Sequence, residues 1–205
     1  MRPLGATGPV LRTPRLLLRR WREDDLAPFA AINADPAVMR HLPRPLDREQ
    51  SDAFVERIEA GFETLGLGLW ATEVRATGSL IGFVGLARQT FEAPFNPSIE
   101  IGWRLTPSAW GLGHATEAAR EVLRFAFEDL GLEEVVSMTV PRNEPSIAVM
   151  RRLGMTYDPA DDHDLPAGPE GGPSRRVVLH RLGRGRWAGA AQPAVPPAPG
   201  TSPPA

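Results

Sequence analysis

Between Ser98 and Leu130 the spacing of apolar positions changes from one regular period to another. Ile99 and Ile101 alternate with Glu100 and Gly102, the two-residue repeat of a strand. Pro107 ends that run, and Gly111 and Gly113 bracket a loop. From Ala115 the repeat lengthens. Ala115, Ala118, Ala119, Val122, Ala126 and Leu130 share one helical face, while Glu117, Arg120, Glu121, Arg124 and Glu128 fall largely on the other. A strand feeding a helix through a glycine turn brings bare backbone N–H groups and the positive end of the helix dipole to one point. Such a point is an anion site, most naturally for a phosphate.

The rest of the chain follows the same kind of reading. Leu16–Leu18, with Arg19 and Arg20, predicts a first strand after a Gly-, Pro- and Thr-rich lead-in. Acidic residues after Trp21 suit a helix start, continued at helical spacing by Leu26, Phe29, Ala30 and Asn33 and closed by Asp35-Pro36. A short helical piece is expected around Ala37 to His41. Asp47 with Gln50 is a capping-box pattern, so a helix over about Arg48 to Thr64 should bury Phe54, Val55, Ile58 and Phe62. Leu69–Val74 and Leu80–Ala87, joined at Ala76-Thr77-Gly78, predict a hairpin. Beyond the central helix, Val135–Val140 is a strand. Asn143 caps a helix from about Pro145 to Leu153, which Gly154 stops. A strand start at Met155 to Tyr157, an acidic loop holding Asp158, Asp161, Asp162, Asp164 and Glu170, and a strand over Arg176–Arg181 complete the pattern. The order describes one α+β domain around a mixed, mostly antiparallel sheet flanked by helices. The helix at 115–130 makes the crossover between two parallel neighbours. The domain is expected over residues 13–184, between a lead-in of residues 1–12 and a disordered Ala/Pro-rich tail of residues 185–205.

Composition narrows the function classes. The 205-residue chain is 42% hydrophobic and 23% charged with a net charge of −2, which disfavours nucleic acid and anionic membranes as partners. No cysteine is present, so disulfides, thiolate zinc sites and cysteine nucleophiles are excluded. No segment approaches a membrane span, and a cytoplasmic address is the expectation. His163 among aspartates reads as part of a solvated acidic loop, and no metal site is expected. Lysine is absent, which removes a Walker-type phosphate loop. Gly111-Leu112-Gly113-His114-Ala115-Thr116 fails the last position of the dinucleotide fingerprint and lacks its repeated βαβ context.

What remains is carried by an ordered set of motifs: Thr13-Pro14-Arg15-Leu16-Leu17-Leu18-Arg19, Asp35-Pro36-Ala37-Val38-Met39, Ile101-Gly102-Trp103, Trp110-Gly111-Leu112-Gly113-His114-Ala115-Thr116-Glu117-Ala118, Asn143-Glu144-Pro145-Ser146 and Leu153-Gly154-Met155. In this order they resemble the GNAT superfamily of acyl-CoA-dependent N-acetyltransferases, in its RimJ/RimL-like (ribosomal-protein N-terminal acetyltransferase) branch. The family's pyrophosphate loop reads Gln/Arg-x-x-Gly-x-Gly/Ala, and Trp110, Gly113 and Ala115 stand at its fixed positions.

The resemblance implies acetyl-CoA as co-substrate and a primary amine as acceptor, on a peptide or protein N-terminus or on a small molecule. It implies that backbone from Leu112 through Gly113, His114 and Ala115 to Thr116 holds the pyrophosphate. The pantetheine arm would run along Trp103 and Leu105, and Gly102 would open room as a bulge or splay. Asn143, otherwise a helix cap, would also contact the cofactor. Glu100 is the candidate base, directly or through water, against its ordinary reading as an ion-paired strand residue. The one tyrosine, Tyr157, lies beyond the helix where many relatives carry theirs. Ser146 is therefore the candidate proton donor to the thiolate, or a serine serving local backbone. Phe91, Phe95 and the acidic loop are candidate walls for a cationic acceptor. A homodimer is common among relatives. A CoA-binding module without efficient catalysis is the competing class.

Overall fold

Asp47 and Gln50 form the reciprocal cap that their spacing predicts. Asp47 Oδ1 accepts the Gln50 N–H at 2.8 Å, and Gln50 Oε1 accepts the Asp47 N–H at 3.2 Å. The helix they start runs Arg48–Leu65 and ends on Gly66 at φ 68°, a left-handed cap that glycine takes without steric cost. Its Val55, Ile58 and Phe62 are buried, and Phe54 is half-buried against Phe29 and Phe83.

The computed structural model describes residues 9–89, 91–165 and 174–191. Its strands are β1 (Leu11–Arg12), β2 (Leu16–Arg19), β3 (Leu69–Val74), β4 (Ser79–Gln89), β5 (Ser98–Leu105), β6 (Glu134–Thr139), β7 (Thr156–Tyr157), β8 (His163–Leu165) and β9 (Arg175–Gly183). The helices are α1 (Leu26–Ala34), α2 (Pro36–Met39), α3 (Arg48–Leu65), α4 (His114–Arg124), α5 (Glu144–Arg152) and α6 (Arg184–Ala191). The sheet order is β1-β2-β3-β4-β5-β6-β9-β7, with β8 also on β9, and every neighbouring pair is antiparallel except β5 and β6. This is the expected single α+β domain with a mixed, mostly antiparallel sheet.

Register separates the two faces. Ala71 stands opposite Phe83 and Trp70 opposite Val84, so Phe83 and Trp70 point to different sides. Phe83 packs with Phe29 of α1 and Phe54 of α3, while Trp70 meets Phe125, just beyond α4, edge-on at 5.5 Å. The α4 crossover therefore covers one face, and α1 with α3 covers the other. The apolar stripe predicted to reach Leu130 is real, but its last turn, Phe125–Asp129, widens to a π-helix in which Leu130 N–H bonds Phe125 O at 3.0 Å.

Three expectations need correction. The lead-in carries β1, because Leu11 is buried and Pro9 O accepts the Trp70 indole N–H at 2.8 Å. The acidic stretch is partly structured: β8 pairs with β9, and Asp161 takes two hydrogen bonds from Arg181 at 2.6 and 2.9 Å. The tail expected to be disordered from residue 185 is helical through Ala191. Trp187 stacks on Phe127 at 5.8 Å, and Arg184 donates to the carbonyls of Leu132 and Phe127. One aromatic docked on the core outweighs a composition that disfavours order. The remainder of that expected tail, residues 192–205, lies outside the described residues.

The end of β2 is tied down by buried ion pairs. Arg19 reaches Asp25 and Glu73; Arg20 reaches Glu59 and Glu63. Glu59 also accepts the Trp21 N–H at 3.2 Å, so one carboxylate fastens α3 to the strand exit. Removing one partner of a buried pair strands the other charge, at about 3–5 kcal/mol. Urea unfolding of Glu59→Ala should show a loss of that size, whereas Glu63→Ala, whose side chain is 50% exposed, should lose under about 1 kcal/mol.

Candidate active site

β5 is paired with β4 along its whole length, from Gln89 opposite Ser98 to Gly82 opposite Leu105. On its other edge it meets β6 at one ladder position, Glu100 opposite Val136. Past that point toward Leu105, the outer edge of β5 has no ladder partner among the described residues. A cavity of about 1290 Å³ opens there. Trp103, Leu105, Gly113, His114, Ala115, Thr116, Asn143 and Ser146, all singled out from the sequence, line it together. Glu100 and Leu112 do not. The Leu112 side chain is exposed, and its carbonyl is what matters: it accepts from Arg15 Nη1 at 2.9 Å.

The loop at one end of the cavity is shaped by glycine. Gly111 and Gly113 have φ of 72° and 80°, a region that L side chains enter at a cost. Gly113 is the N-cap of α4 and offers no side chain, so first-turn N–H groups lack intrahelical acceptors and face the cavity with the positive helix end. Glu117, in that first turn, holds the loop in place. Its carboxylate accepts from Thr13 Oγ1 at 2.5 Å, Arg15 N at 3.0 Å and Arg15 Nε at 2.6 Å. Burial alone would raise the Glu117 carboxyl, but these donors hold it below the usual carboxylate range. This three-residue staple was visible in the sequence only as the Thr13-Pro14-Arg15 motif and a helix-surface glutamate. His114 follows Gly113 and is 8% exposed, with an Nδ1 unpartnered among the described residues; burial and nearby Arg15 lower its pKa against the opposing pull of Glu117. Arg12, Arg15, Arg40, Arg120 and Arg152 also line the cavity, giving it a positive wall.

At the strand split the polar groups fall on opposite faces. Trp103 is opposite Val84 and so lies on the α4 side, where its indole N–H donates to Ser146 Oγ at 3.3 Å. Ser146 is set by the cap of α5: its N–H reaches Asn143 Oδ1 at 3.4 Å, and the Asn143 amide donates to Thr139 Oγ1 at 2.8 Å. Trp110, exposed along the loop, donates to Leu105 O at 2.8 Å and closes the far end of β5.

Glu100 faces the other way. Its carboxylate accepts from Gln89 Nε2 at 2.6 Å and from Met138 N at 3.4 Å. Burial pushes this carboxyl up to about 7, and those two donors oppose the shift. Arg104, which the sequence reading did not single out, shares the Glu100 face and lines the cavity. Its signal was present: a charged residue at an inward strand position.

Phe91, Phe95 and the described aspartates of the acidic stretch do not line this cavity, and Glu170 lies outside the described residues. Phe95 lines a separate hollow of about 310 Å³ beside Pro97 and Ile99, and it packs edge-on against His163. Asp161 and Asp164 are paired with Arg181 and Arg176.

Comparison with known proteins agrees with this geometry. The family described as Acetyltransferase (GNAT) domain matches residues 15–156. The uncharacterized protein YkkB of Bacillus subtilis is 32% identical over 72% of this chain and 85% of its own length. The FsC-acetyl coenzyme A-N(2)-transacetylase of Aspergillus fumigatus is 33% identical over 73% of this chain and 66% of its own. An acetyltransferase from Agrobacterium tumefaciens superposes with a TM-score of 0.69 at 30% identity, covering 89% of this chain and 98% of that one. A Bacillus anthracis acetyltransferase reaches 0.71 at 21% identity, covering 86% and 99%, and speaks to the fold alone. With two-thirds of the chain under one family match and relatives above 30% identity, this protein belongs to the GNAT family of acetyltransferases.

Proposed function

We propose that this chain is an N-acetyltransferase of the RimJ/RimL-like branch, moving acetyl from acetyl-CoA to a primary amine by direct attack on the thioester. The branch rests on the motifs around Trp103 and Trp110. The observation that carries the reading is one cavity joining the uncapped start of α4 to the split between β5 and β6. A relative bearing acetyl coenzyme A in its name adds support.

In this reading the N–H groups of the Gly113–Thr116 turn hold the pyrophosphate, and the arginine-lined wall takes the remaining negative charge. The unpaired edge of β5 near Trp103 and Leu105 receives the amide-bearing arm as an added strand would be received. The chemistry then falls to two groups on either side of the split. Glu100, poised near neutral pH, takes the proton of the attacking amine. Because it stands behind the cavity wall, a water relays that proton. The C–N bond forms, the C–S bond breaks, and Ser146 hands its hydroxyl proton to the departing sulfur, aided by its indole hydrogen bond; water returns the proton held by Glu100 to the serine oxygen. The acceptor reaches the thioester from the Glu100 face.

Three outcomes follow for measurement. With Glu100 as base, kcat/KM should rise with pH and level off above about 7, and Glu100→Gln should lose that limb and about 10²-fold or more in kcat. An unchanged profile in the variant would remove Glu100 from the mechanism. The shift also bears on stability. The folded carboxyl titrates above its ordinary 4.5, so its stabilising contribution is complete at lower pH and is lost as pH rises through about 7. Glu100→Gln should therefore gain on the wild type across that window, by roughly 2–3 kcal/mol in urea unfolding at pH 8. Third, Gly113→Val places a β-branched residue at φ 80° and should weaken acetyl-CoA binding roughly tenfold by calorimetry while the fold persists. Tight acetyl-CoA binding with no thiol release across a broad amine panel would instead identify a binding module.

A further inference from the structure

Arginine is handled in two ways in this fold. Arg19 and Arg20, the two most buried, each take two carboxylates. Arg181 takes Asp161 and Glu134, and Arg15 takes Glu117. Arg104 takes none among the described residues. Its hydrogen-bond partner is neutral: Nη1 donates to Asn33 Oδ1 at 2.6 Å. Asn33 is itself fully buried, and its amide donates to Ser51 Oγ at 2.9 Å, which fixes the carbonyl toward the guanidinium. The rings of Phe54 and Phe83 each lie 5.4 Å from the guanidinium carbon, and Nε is buried without a partner. Burial with no compensating carboxylate pulls Arg104 down to about 10, so it remains a cation at neutral pH.

A partly buried cation with a desolvated, unused donor is costly, and folds ordinarily answer it with a carboxylate. Here the guanidinium borders the cavity instead. The neighbouring wall is Ala37, Val38, Arg40, His41 and Leu42, with no acidic side chain among them. Burial and the nearby Arg142 and Arg40 lower the pKa of His41, and its Nδ1 is also buried without a partner among the described residues. By register Arg104 and Glu100 lie on the same face of β5, four residues apart, away from Trp103 and Ser146. The unpaired charge is thus on the acceptor side of the strand split.

Resting on the acetyl-transfer reading above, we propose that Arg104 is a subsite for a carboxylate carried by the acceptor, so that the substrate is an amine bearing an anionic group and not a simple amine or polyamine. The guanidinium fork matches a carboxylate in geometry as well as charge, and its aromatic flanks exclude the water that would screen the pair. Selectivity follows from the same arrangement: an acceptor with a carboxamide leaves the partly desolvated cation unanswered.

The test uses the full chain, acetyl-CoA and a panel of α- and ω-amino acids and short peptides. Each acid is paired with its carboxamide, and aminoalkylphosphonates are included, with free-thiol release as readout. In the wild type the best acid should exceed its amide at least tenfold in kcat/KM. Arg104→Met should lose that preference while acetyl-CoA affinity stays within twofold. Arg104→Lys, which keeps a point charge, should retain part of it and covers the case in which the methionine variant fails to fold. Equal rates for acid and amide in the wild type, or a preference that survives Arg104→Met, would overturn the proposal. A phosphonate that outpaces every carboxylate tenfold would overturn the carboxylate assignment in favour of a phosphate-bearing acceptor. If no amine turns over, the acetyl-transfer reading falls separately. The subsite is then read by thermal shift with the same acids in the presence of CoA. A rise in the wild type that is absent in the variant retains it, and no rise sinks it.

Discussion

Two parallel strands that meet at one ladder position set the terms for everything at this site. Glu100 and Val136 are the pair at which β5 and β6 join. A parallel pair requires a crossover, and α4 supplies it, which delivers the glycine turn and the positive helix end to the same side as the open edge of β5. The split thus creates two things at once: backbone groups without a sheet partner, and space for something to pair with them. It also explains the state of Glu100. A carboxylate at the one closed position, with the Met138 N–H arriving from β6 and Gln89 from β4, is desolvated enough to titrate near neutrality.

Charge is distributed according to the same division. Away from the cavity, arginines and carboxylates are matched: Arg19 and Arg20 lock the exit of β2, and Arg181 locks β9 to the 3-10 turn at Pro159–Asp161 and to β6. Around the cavity, Arg12, Arg40, Arg104, Arg120 and Arg152 have no carboxylate partner among the described residues. Two paired clusters also border it: Arg124 with Glu121 and Glu128, and the Glu117 staple, which consumes Thr13 and Arg15 to hold Leu112 and the loop in position. With no lysine in the chain, every side-chain cation is a planar fork that keeps its charge when buried, which a lysine at the position of Arg104 would not do as readily.

The local signals were readable where a residue's role is settled by its near neighbours in the chain. Asp47 and Gln50 cap α3, Asn143 caps α5, Gly154 stops it at φ 81°, and the Leu69–Val74 strand has its predicted bounds. The glycine turn before α4 is legible for the same reason, since Gly111 and Gly113 take positive φ regardless of what surrounds them. Trp187 shows the opposite case. Its segment has a composition that disfavours order, and only Phe127, 60 residues earlier in the chain, provides the surface that orders it.

The amino-acid sequence by itself determined the element order, the caps, the phosphate-type turn and, through an ordered set of motifs, the family. These depend on backbone preference and on spacings within a few residues, which the chain carries wherever it is placed. Tertiary structure alone decided which strand face each polar residue occupies. It left Glu100 out of the cavity lining and put Arg104 in it, put Ser146 under the Trp103 indole, and paired Asp161 of the acidic stretch with Arg181 outside that lining. The reason is that burial and charge pairing are sums over neighbours distant in the chain. A spacing rule can say that a residue lies on a strand, but not which partner it will find across the sheet.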